Sequence, residues 1–156
     1  MNRIFIHGLA GSSRGVKARY FRYHFPAMLT PDFTGDLPGR MAQLREILAG
    51  CRDVVMVGSS FGGLMATLYA LENGSAVHRM ILLAPALNFP DFVPLQGKTI
   101  NLPVWLYLGR DDTVTPLAQV EPRARALFPC LHFYAVDDDH LLSRTFGALD
   151  WFTLLG

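Results

Sequence analysis

The sequence predicts an α/β protein built on a doubly wound, parallel sheet with helices on both faces. Three observations predict it. Short apolar runs alternate with longer segments of helical period, the pattern of a parallel sheet covered by its crossover helices. Hydrophobic residues make up 51% of the chain and charged residues 17%, against roughly a quarter charged in an average globular chain. Strands buried on both faces explain that deficit. The 156 residues suit a single domain, 1–156, with a core that needs no staples.

The elements follow in order. Residues 3–7 form a β-branched and aromatic run ending at Gly8, a strand. Residues 16–25 follow a Gly/Ser turn and read as helix. Residues 27–31 form a short, weak strand. Met41, Leu44, Ile47 and Leu48 share one helical face, with Gly50 as the stop. Residues 53–58 are a buried strand, and Leu64, Met65, Leu68 and Leu71 mark the next helix, closed near Gly74. Residues 79–84 and 104–108 are strands. Thr115-Pro116 reads as a hydroxyl N-cap followed by proline at the first helical position. Residues 131–136 are the last strand. Leu142, Phe146, Leu149 and Phe152 predict one terminal helix over 141–155. Only the segment 88–101, between two strands, lacks a helical stripe. Six strands result, with no internal repeat, linker or low-complexity stretch.

Composition excludes several classes of function. Fourteen Lys and Arg balance thirteen Asp and Glu, for a net charge of +1. A nucleic-acid-binding domain would carry a basic excess. Two cysteines, Cys51 and Cys130, are too few for a disulfide framework and form no zinc-type cluster. The N-terminal apolar run is far shorter than the roughly 7–15 residues of a signal peptide. No run approaches the roughly 18 residues of a membrane span. The expectation is a soluble cytoplasmic protein with reduced thiols, no metal and no membrane partner. Its apolar content is also compatible with a homodimer surface.

The strongest motif is Gly58-Ser59-Ser60-Phe61-Gly62-Gly63. It fits G-x-S-x-G with Ser60 central, between a buried strand and an amphipathic helix. A serine on so sharp a turn brings its neighbours two residues either side together, so both must be small. The turn lifts the Ser60 hydroxyl clear of the sheet and leaves the Phe61 amide at a helix N-terminus, where an anion is favoured. Ser59 is a poor rival, because its flanking positions would be Val57 and Phe61.

A serine hydroxyl needs a base, and the base needs an orienting acid. In this motif's context they follow in the order Ser, acid, His. His78 would start a strand and His132 lies near the start of another, on the wrong edge. His140 follows the last strand directly, at the edge where open parallel sheets bind ligands. It is the candidate base, with Asp137, Asp138 and Asp139 beside it as solvated surface carboxylates. The acid should follow an earlier strand. Asp111 and Asp112 both do, bare spacing leaves both open, and Asp91 is an outside alternative. The turn His7-Gly8-Leu9 after the first strand can offer a second backbone donor opposite Phe61, assigned to the Leu9 amide. His7 braces this loop, and His24 carries no signal.

Taken together, His7-Gly8, Gly58-x-Ser60-x-Gly62, Gly109-x-x-Asp112-x-x-x-Pro116 and His140 resemble the α/β-hydrolase superfamily, over nearly the whole chain. Within it the sequence looks like the short, nearly capless bacterial serine esterases. The resemblance implies an all-parallel six-stranded sheet of order 2-1-3-4-5-6. It favours Asp112 over Asp111, and it implies hydrolysis of carboxylic esters or thioesters through an acyl-serine, with no cofactor. That strand order would put Cys51 and Cys130 roughly 14 Å apart, beyond the about 4.4–6.8 Å between Cα atoms that a disulfide tolerates.

The chain departs from larger relatives where a cap would be inserted, after Ala84-Pro85. Only the segment 88–101 is available, and it brings Phe89, Phe92 and Val93 forward as a short lid or acyl pocket, or as a loop packed on the core. An open, shallow site favours small acyl groups. Arg14, Lys17, Arg19 and Arg22 spread round their helix at 100° per residue and read as a solvated face; gathered instead into a phosphate clamp, they would favour an acyl-CoA thioester. A histidine base must be neutral to act, so the rate should rise from about pH 6 towards pH 8, where histidines ordinarily titrate. A flat profile from pH 5 to 8 would count against His140.

Overall fold

A computed structural model describes residues 1–90 and 97–156. The strands are β1 (Asn2–Ile6), β2 (Val54–Ser59), β3 (Val77–Leu83), β4 (Val104–Gly109) and β5 (Leu131–Val136). They pair in the order β1-β2-β3-β4-β5, every neighbour parallel. The helices are α1 (Val16–His24), α2 (Leu37–Ile47), α3 (Phe61–Asn73), α4 (Leu117–Leu127), α5 (Ser143–Ala148) and α6 (Trp151–Leu155).

The sheet has five strands rather than the six expected. Residues 27–31 do run beside β1 at the predicted edge, but only Leu29 pairs, with Ile4. The Phe5 amide donates to the Leu29 carbonyl at 2.8 Å, and the Leu29 amide to Arg3 at 2.9 Å. Pro26 and Pro31 bracket this stretch and have no amide hydrogen to extend the ladder. The order is otherwise the expected one, minus this first edge strand.

The terminal helix is also divided. Asp150 interrupts the helix: the chain leaves α5 at Leu149, and Asp150 caps α6 by accepting from the Thr153 amide at 3.1 Å. The break turns Trp151 inward and leaves Phe152 67% exposed. The Trp151 indole donates to the Phe146 carbonyl at 3.0 Å. Phe21 of α1 meets Phe146 and Trp151 edge-on, at centroid distances of 5.5 and 4.8 Å. This aromatic cluster closes one face of the sheet over Phe5. Further along, Trp105 stacks on His132 and Tyr107 on Tyr134. Phe133, whose side chain alternates to the other face, lies under Arg125 of α4.

β2 and β3 lie at the centre, and Val54, Val55, Met56, Val57, Met80, Ile81, Leu82 and Leu83 are all fully buried. Cys51 and Cys130 precede β2 and β5 and are both free. No helix among the described residues is long and apolar enough to cross a membrane.

Two glycines set how α3 meets the sheet. A Cβ on Gly58 would come 2.6 Å from the Gly62 carbonyl oxygen. A Cβ on Gly62 would run into the Ile6 carbonyl and come 2.7 Å from that of His7. The start of α3 therefore rests directly on the end of β1. Gly62→Ala is expected to cost about 1–3 kcal/mol of stability, since its obstacles are backbone atoms that cannot rotate away. Gly74→Ala, where a Cβ meets open space, is the control expected to be neutral or slightly stabilising. Urea titrations of both variants check this; equal midpoints would refute it.

Candidate active site

Ser60 sits between β2 and α3 with φ 54° and ψ −116°, a region that non-glycine residues occupy only under external constraint. Backbone bonds supply the constraint. The Ser60 amide donates to the Leu83 carbonyl at 2.9 Å, and the Ser60 carbonyl accepts from Gly63 at 2.9 Å, Ala86 at 2.9 Å and Leu64 at 3.3 Å. The residue is held from the end of β3 on one side and from α3 on the other.

His140 follows β5 as expected, and its Nε2 lies 3.0 Å from Ser60 Oγ. Its Nδ1 lies 2.7 Å from Asp112 Oδ2. Burial separates Asp111 from Asp112. Asp111 is exposed, and its amide fastens the Asp138 carbonyl at 3.1 Å. The Asp112 side chain is fully buried. Its Oδ1 accepts from the amides of Val114 and Thr115, both at 2.8 Å, and its Oδ2 accepts from the Thr115 hydroxyl at 2.7 Å as well as facing His140. A buried carboxylate with four such partners is a fixed acceptor. Asp91 lies outside the described residues.

Thr115 departs from its expected role. The helix begins at Leu117 without a side-chain cap, and the Thr115 hydroxyl is spent on Asp112 instead. The Asp112-x-x-Thr115 spacing is the only sequence signal for this, and it also reads as an ordinary capping turn.

The loop after β1 is fixed through His7, which is buried. Its Nε2 accepts from the Phe33 amide at 2.9 Å, so its Nδ1 carries the proton and donates to the Gly8 carbonyl at 2.6 Å. That carbonyl also accepts from the Gly11 amide at 3.1 Å. The Gly8 carbonyl and the Leu9 amide belong to one trans peptide, so a bond that fixes the oxygen aims the N–H the opposite way. Neither the Leu9 nor the Phe61 amide donates to a described residue. A Cβ on Gly8 would come 3.3 Å from Ser60 Cβ and 3.9 Å from the Phe61 nitrogen, which places the loop against the elbow.

A cavity of about 220 Å³ opens beside Ser60. Leu9, Phe61, Ala86, Phe89, Pro90 and Val114 make most of its wall, with Asn88 and Thr115 as polar members. Phe89 meets Phe61 edge-on at 5.2 Å. Phe92 and Val93 lie outside the described residues. Sequence reasoning missed Ala86, Asn88 and Val114, which carry no motif. A larger hollow of about 470 Å³ lies at the opposite edge, beside Cys51 and the Arg45–Glu72 ion pair. It has no hydroxyl or thiol paired with a base, so volume alone does not mark the chemistry. Among the described residues no cluster of His, Cys, Asp and Glu could hold a metal ion.

The alpha/beta hydrolase family profile matches residues 4–155. The chain belongs to that family. A curated relative, the abhydrolase domain-containing protein lid-1 of Caenorhabditis elegans, is 30% identical over 103 residues, or 56% of this chain. The match spans 28% of that protein's length. Among solved structures, a yden-like hydrolase of Pectobacterium atrosepticum is similar with a TM-score of 0.76 and 20% identity, over 99% of this chain and 86% of that one. An esterase of Pyrococcus furiosus is similar with a TM-score of 0.72 and 17% identity, over 99% and 80%. At these identities the likeness to solved structures is one of fold.

In this family member the Thr115 hydroxyl is a bond on Asp112 that a substitution can remove without touching the backbone or His140. Thr115→Val is expected to lower stability by about 1–3 kcal/mol, because it strips one donor from a buried carboxylate. Chemical denaturation reads it out; an unchanged midpoint would show that Asp112 does not need the hydroxyl.

Proposed function

We propose that the protein is a serine hydrolase that cleaves carboxylic esters of small acyl groups through a covalent acyl-enzyme. The observation that carries this reading is the unbroken line from Ser60 Oγ to His140 Nε2 at 3.0 Å and from His140 Nδ1 to Asp112 Oδ2 at 2.7 Å.

Ser60 attacks the acyl carbonyl while His140 Nε2 takes its proton. Asp112 holds the Nδ1–H tautomer and stabilises the imidazolium. The amides of Phe61 and Leu9 receive the oxyanion; one such donor is worth about 3–4 kcal/mol in the transition state. His140 then protonates the leaving alkoxide, and water repeats the steps on the acyl-serine. The small-acyl preference rests on the apolar wall and the about 220 Å³ of the cavity, where a charged acyl chain would find little to pair with. The same steps serve a thioester, with a thiolate leaving, and a matched pair of ester and thioester substrates separates the two.

A fluorophosphonate probe is expected to modify Ser60, located by peptide mass spectrometry, and His140→Ala is expected to abolish the adduct. Ser60→Ala should keep its fold and lose at least roughly a thousandfold in rate. A well-folded wild-type protein that takes no label at Ser60 would end the hydrolase reading.

A further inference from the structure

Lys17 stands in the first turn of α1, and no acidic residue accompanies it there. The N-terminal end of a helix is positive, so a cation in this turn opposes the macrodipole. The side chain crosses to the loop after β5. Its Nζ donates to the Leu141 carbonyl at 2.7 Å and lies 5.6 Å from the centre of the Phe146 ring. Burial pushes the ammonium below its usual range, while Asp138 and Asp139 pull it back up; Arg144 also acts on Asp138 and helps to hold that carboxyl below its usual range. A half-buried cation in an unfavourable turn needs a compensating partner, and here the partner is the residue that follows His140.

Besides His140 itself, the loop is also met from the β4 side, where the Asp111 amide donates to the Asp138 carbonyl at 3.1 Å; its other bonds are internal. The Leu141 amide donates to Asp139 Oδ1 at 3.0 Å, and the Leu142 amide to the Asp139 carbonyl at 3.2 Å. Leu142 has φ 52°, in the left-handed region. Asp138 Oδ2 accepts from the Thr145 amide and hydroxyl at 2.8 and 2.9 Å. These bonds fix the shape of the loop. Two bonds place it over the sheet edge: the Asp111 amide holds its start at Asp138, and Lys17 ties its end, at Leu141, to α1. That helix continues directly from the loop of His7, Gly8 and Leu9, whose far side is held by Ser13 donating to Asp32.

We propose that Lys17 is a positioning residue: by holding the Leu141 carbonyl it fixes the loop that aims His140 at Ser60, and couples that loop to the one bearing the Leu9 amide. This rests on the catalytic reading above. The bond is charge-assisted, so it weakens when the ammonium loses its proton. The wild-type rate should therefore fall on the alkaline side before ordinary lysines titrate.

Lys17→Met keeps the apolar stem and removes the donor. It is expected to lower kcat about tenfold with KM within about twofold, the size of effect a small misplacement produces. Lys17→Arg should restore most of kcat and extend activity to higher pH. A Met variant with wild-type kcat, or an Arg variant with the wild-type alkaline fall, would overturn the proposal. A second readout needs no turnover: the Nδ1–H proton of His140, bonded to Asp112, should give a narrow NMR signal in the wild type and a broadened one in Lys17→Met. An unchanged signal overturns the proposal whatever the rates. A wild type that takes no fluorophosphonate would instead sink the hydrolase reading, and the NMR comparison would still decide whether Lys17 holds His140.

Discussion

The arrangement depends on one close approach, the start of α3 against the end of β1. Gly62 allows it, because any side chain would strike the Ile6 carbonyl. With the helix seated there, three things follow together. The Phe61 amide faces the loop after β1. Ser60 is forced into a backbone conformation that its four main-chain hydrogen bonds must hold. The Ser60 hydroxyl then stands at the edge of the sheet where the loops after β4 and β5 arrive. The strain is local, and the bonds that hold it come from the end of β3, from Ala86 just beyond it and from the first turn of α3.

The polar groups taken out of water are few, and most of them belong to the site. Asp112, Thr115 and His7 are buried, and each has named partners at hydrogen-bond distance. Thr67, in α3, is buried as well and donates its hydroxyl to the Gly63 carbonyl at 2.8 Å; Arg40 is the remaining case among the described residues. Its Nε donates to the Gly35 carbonyl at 2.8 Å, its guanidinium lies 5.6 Å from the centre of the Phe61 ring, and one terminal nitrogen has no partner among the described residues. The ring face supplies some of the stabilisation that a hydrogen bond would have given.

Much of this was legible in the sequence, for a physical reason. The elbow is a local steric requirement, so Gly58, Ser60 and Gly62 announce it by spacing. His140 and the aspartate pair are placed by topology, since each follows a strand and parallel strands end at one edge. What spacing could not decide was which aspartate turns inward, because that depends on the donors of Val114 and Thr115 folding back on Asp112. The terminal helix was misread because a hydrophobic stripe does not register an internal cap, and Asp150 resets the helix without breaking the stripe. The strand at 27–31 was overestimated because alternation cannot count the amides that two flanking prolines withhold. Lys17 looked like one more solvated charge, since only the tertiary fold brings Leu141 within its reach.

The stacked pairs Trp105–His132 and Tyr107–Tyr134 have a bearing on how the protein behaves in quantity. Among the described strands β5 has a neighbour on one side alone, and Tyr134 on it is 43% exposed. Between Leu131 and Val136 there is no lysine, proline or acidic residue, the devices by which edge strands deter pairing with a foreign chain. With two aromatic stacks lying flat on one of its faces, this edge offers unpaired backbone groups to a second chain. Solubility engineering would therefore start at the outward-facing His132, at the edge of the sheet farthest from β1, where a charge could be added without touching the loops that carry Ser60, Asp112 and His140.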